Sequence, residues 1–257
     1  MRAQTVNSSA GWRWLFTGFA IFRRNPPILS LLVVVYWFTV VFLNVLPVIG
    51  VLAASLVIPG LSVGLMQAAR NIERGQSASI QTLYGGLREN TRTLLALGGL
   101  YLVATLAVLG MSTIIDGGDL LRYMLASNRT ERAAVEDADF TLPALFVMVL
   151  LVPVLMAWWF APMLAAWHRL TLGRALFFSF IACWMNWRAF IAYGAAVVIV
   201  VGVVPGVLLG VLLLLMPGAA GLLSGLFMVA MALVVAPAIF ASFYASYRDI
   251  FGISEIV

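Results

Sequence analysis

Several apolar stretches of this sequence exceed the roughly 18–20 residues that an α-helix needs to cross a bilayer. Of the 257 residues, 63% are hydrophobic and 10% are charged, whereas a soluble domain is typically about 45–50% apolar and about 25% charged. A soluble interior has no place for this excess of apolar side chains. The sequence therefore predicts an all-α, polytopic membrane protein, because a helix satisfies its own backbone hydrogen bonds in lipid.

The apolar runs divide into six predicted membrane spans within a single integral membrane domain, residues 1–257. Uncharged turns join the first span to the second and the fifth to the sixth, so we expect three helix hairpins. One long hydrophilic loop, residues 116–141, separates the third span from the fourth. The spans, numbered 1 to 6 below, are predicted at residues 27–43, 47–67, 93–114, 143–166, 189–216 and 219–245.

A shorter amphipathic segment precedes spans 1, 3 and 5, and we call these segments leading helices 1, 2 and 3. In leading helix 1, apolar side chains from Trp12 to Phe19 recur at i, i+3, i+4 and i+7, which is the spacing of one helix face. A helix of this kind lies in the headgroup layer of a bilayer. We therefore predict three membrane-surface helices, at residues 11–24, 79–89 and 174–185.

The three leading helices and their hairpins form an internal repeat. Each leading helix ends at an asparagine, and aligning the chain on these asparagines places an apolar residue three, six and ten positions earlier in every copy. Internal repeats are common in transport folds, but they also arise by duplication in proteins that transport nothing. The asparagines are Asn25, Asn90 and Asn186. The second span of each hairpin carries a proline, namely Pro59, Pro162 or Pro237.

The arginines predict the orientation of the chain in the membrane. All 15 basic residues are arginines, and the net charge is +5. Twelve of them fall on the side that holds both termini, and three fall in the loop. Since cytoplasmic segments are enriched in positive charge, we expect both termini in the cytoplasm and residues 116–141 outside. The arginines adjoin apolar runs and form no separate patch, so we expect the lipid bilayer, and not nucleic acid, as a partner.

Catalysis and ion-coupled transport are disfavoured, because the apolar segments lack metal-ligating clusters and ionisable side chains. A single cysteine, Cys183, and a single histidine, His168, cannot form a disulfide or a Cys/His metal cluster. The six predicted span cores contain no ionisable side chain, although proton relays and coupled pumps generally need such groups inside the membrane. We therefore predict a protein that is not an enzyme and that carries no cofactor or metal.

One motif of hydrolases does occur, because Gly60 to Gly64 matches G-x-S-x-G around Ser62. That motif needs a strand-to-helix elbow and a histidine partner. The only histidine, His168, adjoins the membrane boundary, while Ser62 lies about 12 Å deeper, at eight helical residues before Arg70. The small residues around Ser62 instead favour close packing of neighbouring helices.

A second set of small residues recurs on span 5, where Gly202, Gly206 and Gly210 form a tandem G-x-x-x-G pattern around Pro205. Such a stripe is typical of a helix-packing face. The alternative is a hinge in a moving helix, and packing is the favoured interpretation. The prolines of the second spans, Pro59, Pro162 and Pro237, are candidates for the same two roles.

Trp158 and Trp159 lie within span 4, away from the interfaces where tryptophan is usually found. They are candidates for the lining of a cavity. The alternative is that they face lipid or pack in the core, and the sequence favours this alternative about two to one.

Aromatic and basic residues at the predicted interface are candidates for contact with lipid or a partner. Trp12 and Trp187 are interfacial anchors. Arg92 and Arg188 occupy the first turn of spans 3 and 5, where the helix dipole disfavours a cation. Each arginine therefore either binds a lipid phosphate or a backbone carbonyl, or extends its side chain to the headgroups.

Three segments carry a resemblance to a known family. The segments GWRWLFTGFAIFRRNPP, QAARNIERG and LYGGLREN together resemble a family of uncharacterised bacterial inner-membrane proteins with six spans. The chain is also distantly similar to the membrane domains attached to some bacterial glycerophosphodiester phosphodiesterases, although the catalytic domain is absent here. The resemblance implies a location in the bacterial cytoplasmic membrane and supplies no catalytic residues.

The sequence leaves two functions open. We predict an accessory or scaffold component that contacts lipid headgroups, a membrane protein complex or a second copy of itself. The alternative is an uncoupled permease or exporter of a small apolar or amphiphilic solute, which would use a cavity near Trp158, Trp159 and the span prolines. A polar-lined path through the bundle would favour the permease, and a dry, filled centre with an exposed apolar flank would favour the accessory role.

Overall fold

The computed structural model describes residues 3–46, 49–126 and 140–252. These residues form helices joined by short turns, with no strand among them, and the predicted all-α class with six membrane-capable helices is confirmed. The predicted turn at Pro47 and residues 127–139 of the loop lie outside the described residues. The six spans are Pro26–Asn44, Ile49–Glu73, Thr91–Asp116, Thr141–Trp167, Trp187–Leu215 and Pro217–Phe251.

The three leading helices are Ala10–Arg24, Ile80–Gly85 and Leu172–Met185, and the short loop helix is Asp119–Leu125. A 3₁₀ turn, Gly86–Arg88, extends leading helix 2. Each repeat asparagine lies at the joint between a leading helix and its span. The Asn25 and Asn186 side chains bond the backbone at that joint, whereas the Asn90 amide donates a hydrogen bond to the Ala165 carbonyl at the end of span 4. Whether these helices lie on a membrane surface stays a prediction.

The bundle is densely packed at one end only. We call the end that holds leading helix 1 and Phe251 the terminal end, and the end that holds Asp116 and Thr141 the loop end. In span 6 every buried residue lies between Pro237 and Phe251. In span 5 the buried residues end at Ala196. Consecutive spans contact each other in the pairs 1–2, 2–3, 3–4 and 5–6, and the core lies at the terminal end.

Leading helix 1 packs into this core on a face that overlaps only in part with the one that the apolar spacing identified. Trp14 and Leu15 are fully buried, and Gly11 and Gly18 bring the helix into backbone contact with spans 5 and 6. Leu15 belongs to the predicted apolar face, whereas Phe16 of the same face is 56% exposed and stacks on Trp12. The small residues therefore turn the contact with the protein away from Phe16.

Leading helix 2 lies directly against the glycines of the G-x-S-x-G motif. A Cβ on Gly64 would collide with the backbone carbonyl of Leu83, and one on Gly60 would meet the Leu87 side chain. Gly86 in turn approaches the backbone of span 2. The motif is thus a helix-packing surface, as its small residues indicated.

The span prolines leave backbone carbonyls without their usual helical donor, and neighbouring helices meet two of these carbonyls. Pro237 frees the carbonyl of Leu233, which accepts a hydrogen bond from the Ser30 hydroxyl of span 1. Pro59 frees the carbonyl of Ser55, and a Cβ on Gly98 of span 3 would collide with it. Pro59 and Pro237 therefore lie at contacts between spans, and at Pro237 a hydroxyl of the neighbouring span replaces the lost helical donor.

The glycine stripe of span 5 has open space around it. Added Cβ atoms on Gly202, Gly206 and Gly210 would meet no atom within 4 Å. A π-helical segment, Val198–Val203, precedes Pro205, as expected where proline interrupts the hydrogen-bond ladder. The stripe packs against no other helix of the described chain, so the predicted packing face would require a second chain.

Candidate functional site

A cavity of about 410 Å³ lies within the bundle, between spans 2, 3, 4 and 6. Four predicted candidates, Trp158, Trp159, Pro59 and Pro162, line it together. Pro237 does not line it, and Phe240 and Phe243 represent span 6 instead. The sequence hypothesis of a cavity near the two tryptophans thus corresponds to a cavity in the structure.

Ser179 of leading helix 3 shapes span 4 at this cavity. Its hydroxyl accepts a hydrogen bond from the Phe160 backbone N–H at 2.9 Å and donates one to the Met156 carbonyl at 2.8 Å. These two backbone groups would bond each other in a regular helix. The inserted hydroxyl interrupts the helix at Trp159 and Phe160, immediately before Pro162, as inserted side chains are known to do.

The bend directs both tryptophans into packed positions. The Trp158 indole N–H donates a hydrogen bond to the Leu97 carbonyl at 2.9 Å, and its ring contacts Tyr101 edge-on at 5.7 Å between centroids. Trp159 contacts Phe243 edge-on at 5.0 Å. Edge-to-face contacts of this kind fix ring orientation, so the two indoles form rigid walls.

The remaining wall is apolar apart from a few uncharged groups. No charged residue lines the cavity. One polar atom, the hydroxyl oxygen of Thr105, is buried without a hydrogen-bond partner in the described structure. A buried hydroxyl without a partner costs about 1–3 kcal/mol, which a ligand hydroxyl, carbonyl or ether would recover. The uncharged polar lining residues are Asn44, Ser55, Ser62, Tyr101 and Thr105.

The cavity runs from the loop end towards the packed end of the bundle. Asn44 and Val51 line it at the loop end and are exposed, while Met66 and Met163 line it deep inside and are buried. The stretch from Val51 to Met66 covers about 22 Å along a helix axis. The cavity is therefore accessible from the loop end and closed towards the terminal end by the core.

A comparison with known proteins places the chain in a family. It is 36% identical over 262 residues to a probable inner membrane protein of Burkholderia thailandensis, covering 99% of this chain and 96% of that protein. The chain belongs to this inner-membrane family. No family model matches the chain, and no solved structure matches it. The likeness to the membrane domains of glycerophosphodiester phosphodiesterases is supported by neither search and stays a prediction.

The hydrolase pair suggested by the motif is not assembled in this inner-membrane protein. His168 lies at the terminal end, where its Nε2 atom is hydrogen-bonded to the Tyr247 hydroxyl at 2.7 Å. Burial, together with the nearby Arg70 guanidinium, lowers the pKa of His168. Ser62 instead lines the cavity beside the Tyr36 hydroxyl. The structure brings no base to Ser62 from the described residues.

The other candidates for chemistry are inert or far apart. Burial raises the pKa of the Cys183 thiol to about 12, which leaves it protonated and unreactive. Among residues 3–46, 49–126 and 140–252, no cluster of three or more His, Cys, Asp or Glu side chains could hold a metal ion.

Three of the four candidate interface residues are exposed on the surface of the bundle. Trp187 and Arg188 are exposed, and the Arg188 guanidinium lies 5.3 Å from the centroid of the Trp187 ring. Arg92 is also exposed, and Trp12 is half-buried. Neither arginine hydrogen-bonds a carbonyl of the described chain, so binding to lipid phosphate and extension to the headgroups stay as predictions.

A charged cluster at the terminal end joins three helices and was not found by sequence reasoning. Glu73 of span 2 pairs with Arg248 of span 6 and accepts a hydrogen bond from the Tyr244 hydroxyl at 2.9 Å. Asp249 accepts one from the Trp14 indole at 3.0 Å. The repeat contained a signal for this cluster, since Arg248 lies eleven residues after Pro237 just as Arg70 lies eleven after Pro59.

Proposed function

We propose that this protein is an uncoupled permease whose cavity binds a small apolar or amphiphilic solute within the membrane. The observation that carries the proposal is the cavity itself, with rigid indole walls and one unpartnered hydroxyl. Its volume falls within the range of about 300–1,000 Å³ that is typical of ligand sites. The solute that fits is largely apolar with one hydrogen-bonding group opposite Thr105.

The charge distribution supports an uncoupled mechanism. Coupled transporters place ionisable groups on the pathway, and none lines this cavity. The cavity is closed towards the terminal end, so the structure corresponds to a conformation open to the loop end alone. Release on the other side would require the buried contacts around Met66 and Met163 to separate.

Cavity filling tests the proposal. In purified protein labelled with a photoactivatable long-chain alcohol, we expect cross-links enriched at cavity residues. Ala54→Leu adds a branched side chain to the buried cavity wall and should at least halve this labelling. Gly206→Leu adds the same side chain where nothing lies within 4 Å and should leave it unchanged. Labelling spread over lipid-facing residues, or equal labelling in both variants, would contradict the proposal.

One observation favours the accessory role as a second candidate. The loop-end half of span 5 has no buried residue, and its glycine stripe faces open space. A stripe of this kind admits a close helix neighbour from another chain. The test is whether Gly206→Leu loses a copurifying membrane protein or a homodimer. Such a loss, with an unchanged melting temperature of the protein itself, would support this role.

The predicted orientation has a direct test. Both termini are expected in the cytoplasm, with residues 116–141 outside, because twelve of 15 arginines lie on the terminal side. In a Cys183→Ser background, a membrane-impermeant thiol reagent applied to whole cells should label Asn128→Cys and not Gln4→Cys. The opposite labelling pattern would reverse the orientation and place the cavity mouth in the cytoplasmic leaflet.

A further inference from the structure

A second pocket, of about 400 Å³, lies at the terminal end between span 2, leading helix 2 and the end of span 4. Its floor is apolar, formed in part by Val63 and Ala166. Its rim is charged and polar, in contrast to the solute cavity. The polar residues of the rim are Gln67, Arg70, Thr82, Glu89 and Arg169.

Arg70 brings an uncompensated positive charge to this pocket. Its guanidinium lies over the Trp167 ring, 5.3 Å from the centroid, a contact that leaves the in-plane N–H donors free. Among the described residues, no carboxylate lies within salt-bridge distance of Arg70. Glu73, one turn further along span 2, pairs with Arg248 instead. Half-buried donors of this kind are available to an anion.

Arg169 stands at the mouth of the pocket in a strained conformation. Its φ angle is +50°, in the left-handed region that a non-glycine residue occupies only at a cost of about 1–3 kcal/mol. Its side chain is 79% exposed and lies 4.0 Å from Glu89. The two guanidinium groups and the single carboxylate leave a net positive charge around the pocket.

The backbone beside the mouth is held by Asn90, the other described non-glycine residue with positive φ, at +46°. Its side-chain amide donates hydrogen bonds to the carbonyls of Ala165 at 2.8 Å and Leu170 at 3.2 Å. These bonds satisfy carbonyls at the end of span 4 and fix the turn that carries Arg169. Of the two described non-glycine residues with positive φ, Arg169 thus lines the pocket and Asn90 directly follows the rim residue Glu89 in sequence.

We propose that this pocket binds a phosphate-bearing ligand. Arg70 and Arg169 would donate charge-assisted hydrogen bonds to phosphate oxygens, for which the planar guanidinium is well suited. Glu89 would accept a hydrogen bond from an ammonium or hydroxyl group of the same ligand. The phosphate belongs either to a lipid headgroup or to a soluble compound. The site is separate from the solute cavity and does not depend on transport.

Thermal melting of the delipidated protein in a neutral, phosphate-free detergent tests the site. The probes are inorganic phosphate, phosphatidylethanolamine, phosphatidylglycerol and, as the control without phosphate, diacylglycerol. At least one phosphate-bearing probe should raise the melting temperature, and diacylglycerol should not. Arg70→Gln and Arg169→Gln should each lower the apparent affinity for the effective probe about tenfold or more. Arg122→Gln, an exposed arginine at the loop end, should leave it unchanged.

The pattern of probes identifies the source of the phosphate. An effect of the phospholipids alone supports a headgroup, and an effect of inorganic phosphate supports a soluble ligand. The proposal is overturned if no phosphate-bearing probe acts, if diacylglycerol acts equally, or if all three arginine variants respond alike. Should Arg70→Gln fail to fold, Arg169→Gln carries the test, because the Arg169 side chain is mostly exposed.

Discussion

Gly64→Ala should lower the stability of the protein by about 1–3 kcal/mol or more, the usual cost of overpacking a tight site. The added Cβ would collide with the backbone carbonyl of Leu83. A backbone group cannot move aside as a flexible side chain can, so leading helix 2 would have to shift from span 2. Thermal melting in detergent measures the effect, and protein levels in the membrane provide a second readout.

Gly206→Ala is the matched control for this substitution. Gly206 is also a glycine within a span, but an added Cβ there meets nothing within 4 Å. The melting temperature of the Gly206→Ala variant should stay the same or rise slightly, because the helix propensity of alanine is more favourable than that of glycine by about 1 kcal/mol. Equal destabilisation by the two substitutions would show that the collision with the Leu83 carbonyl does not account for the loss of stability in Gly64→Ala.

The six spans were predictable because run length is a local property of the sequence. The helix ends were less so, as span 2 shows. Its apolar run ends near Gln67, yet the helix continues to Glu73 and the chain turns at Gly75, where φ is +70°. Polar residues remain helical when another part of the protein supplies their partners. For Glu73 these partners lie some 170 residues away in sequence.

A cavity was one of two hypotheses for Trp158 and Trp159, because tryptophan at that depth is unusual, although the sequence favoured positions facing lipid or packed in the core. The residue that shapes the cavity was not predicted. Ser179 reads in sequence as an ordinary small polar residue on leading helix 3, and its function depends on a backbone gap in span 4 that no spacing reveals. Thr105 is equally inconspicuous, since its missing partner is visible only once the surrounding helices are placed.

Packing faces were only partly predictable. The small residues of Gly60–Gly64 and of the span 5 stripe are of similar composition, yet one set touches a helix and the other faces open space. The difference lies in which helix passes nearby. In leading helix 1, the face that spacing selects is divided, because Leu15 is buried and Phe16 is exposed, while Gly11 and Gly18 mark the contact with the protein. The apolar character of a helix face does not reveal whether that face contacts lipid or another part of the protein.

Glu73→Gln should lower stability by about 2 kcal/mol, because it removes one of the two carboxylates that pair with Arg248 at the junction of spans 2 and 6 and leaves Asp249 as the other. Removing one partner of a fully buried pair costs about 3–5 kcal/mol. Here the Glu73 and Arg248 side chains are 18% and 25% exposed, so water compensates part of the loss. Glutamine keeps the size of the side chain and an acceptor for the Tyr244 hydroxyl, which isolates the effect of charge.

The double variant Glu73→Gln/Arg248→Gln separates the contribution of the ion pair to stability from the effect of replacing either side chain alone. If the two charges stabilise each other, the double variant should be less destabilised than the sum of the single variants. Asp119→Asn is the control, since Asp119 pairs with Arg122 at 3.3 Å but the two side chains are 37% and 72% exposed, and exposed pairs contribute about 0–1 kcal/mol. Strict additivity at Glu73 and Arg248 would mean that the two side chains act independently. The terminal end would then be held by aromatic packing, such as the edge-on contact of Trp167 of span 4 with Tyr247 of span 6 at 4.9 Å.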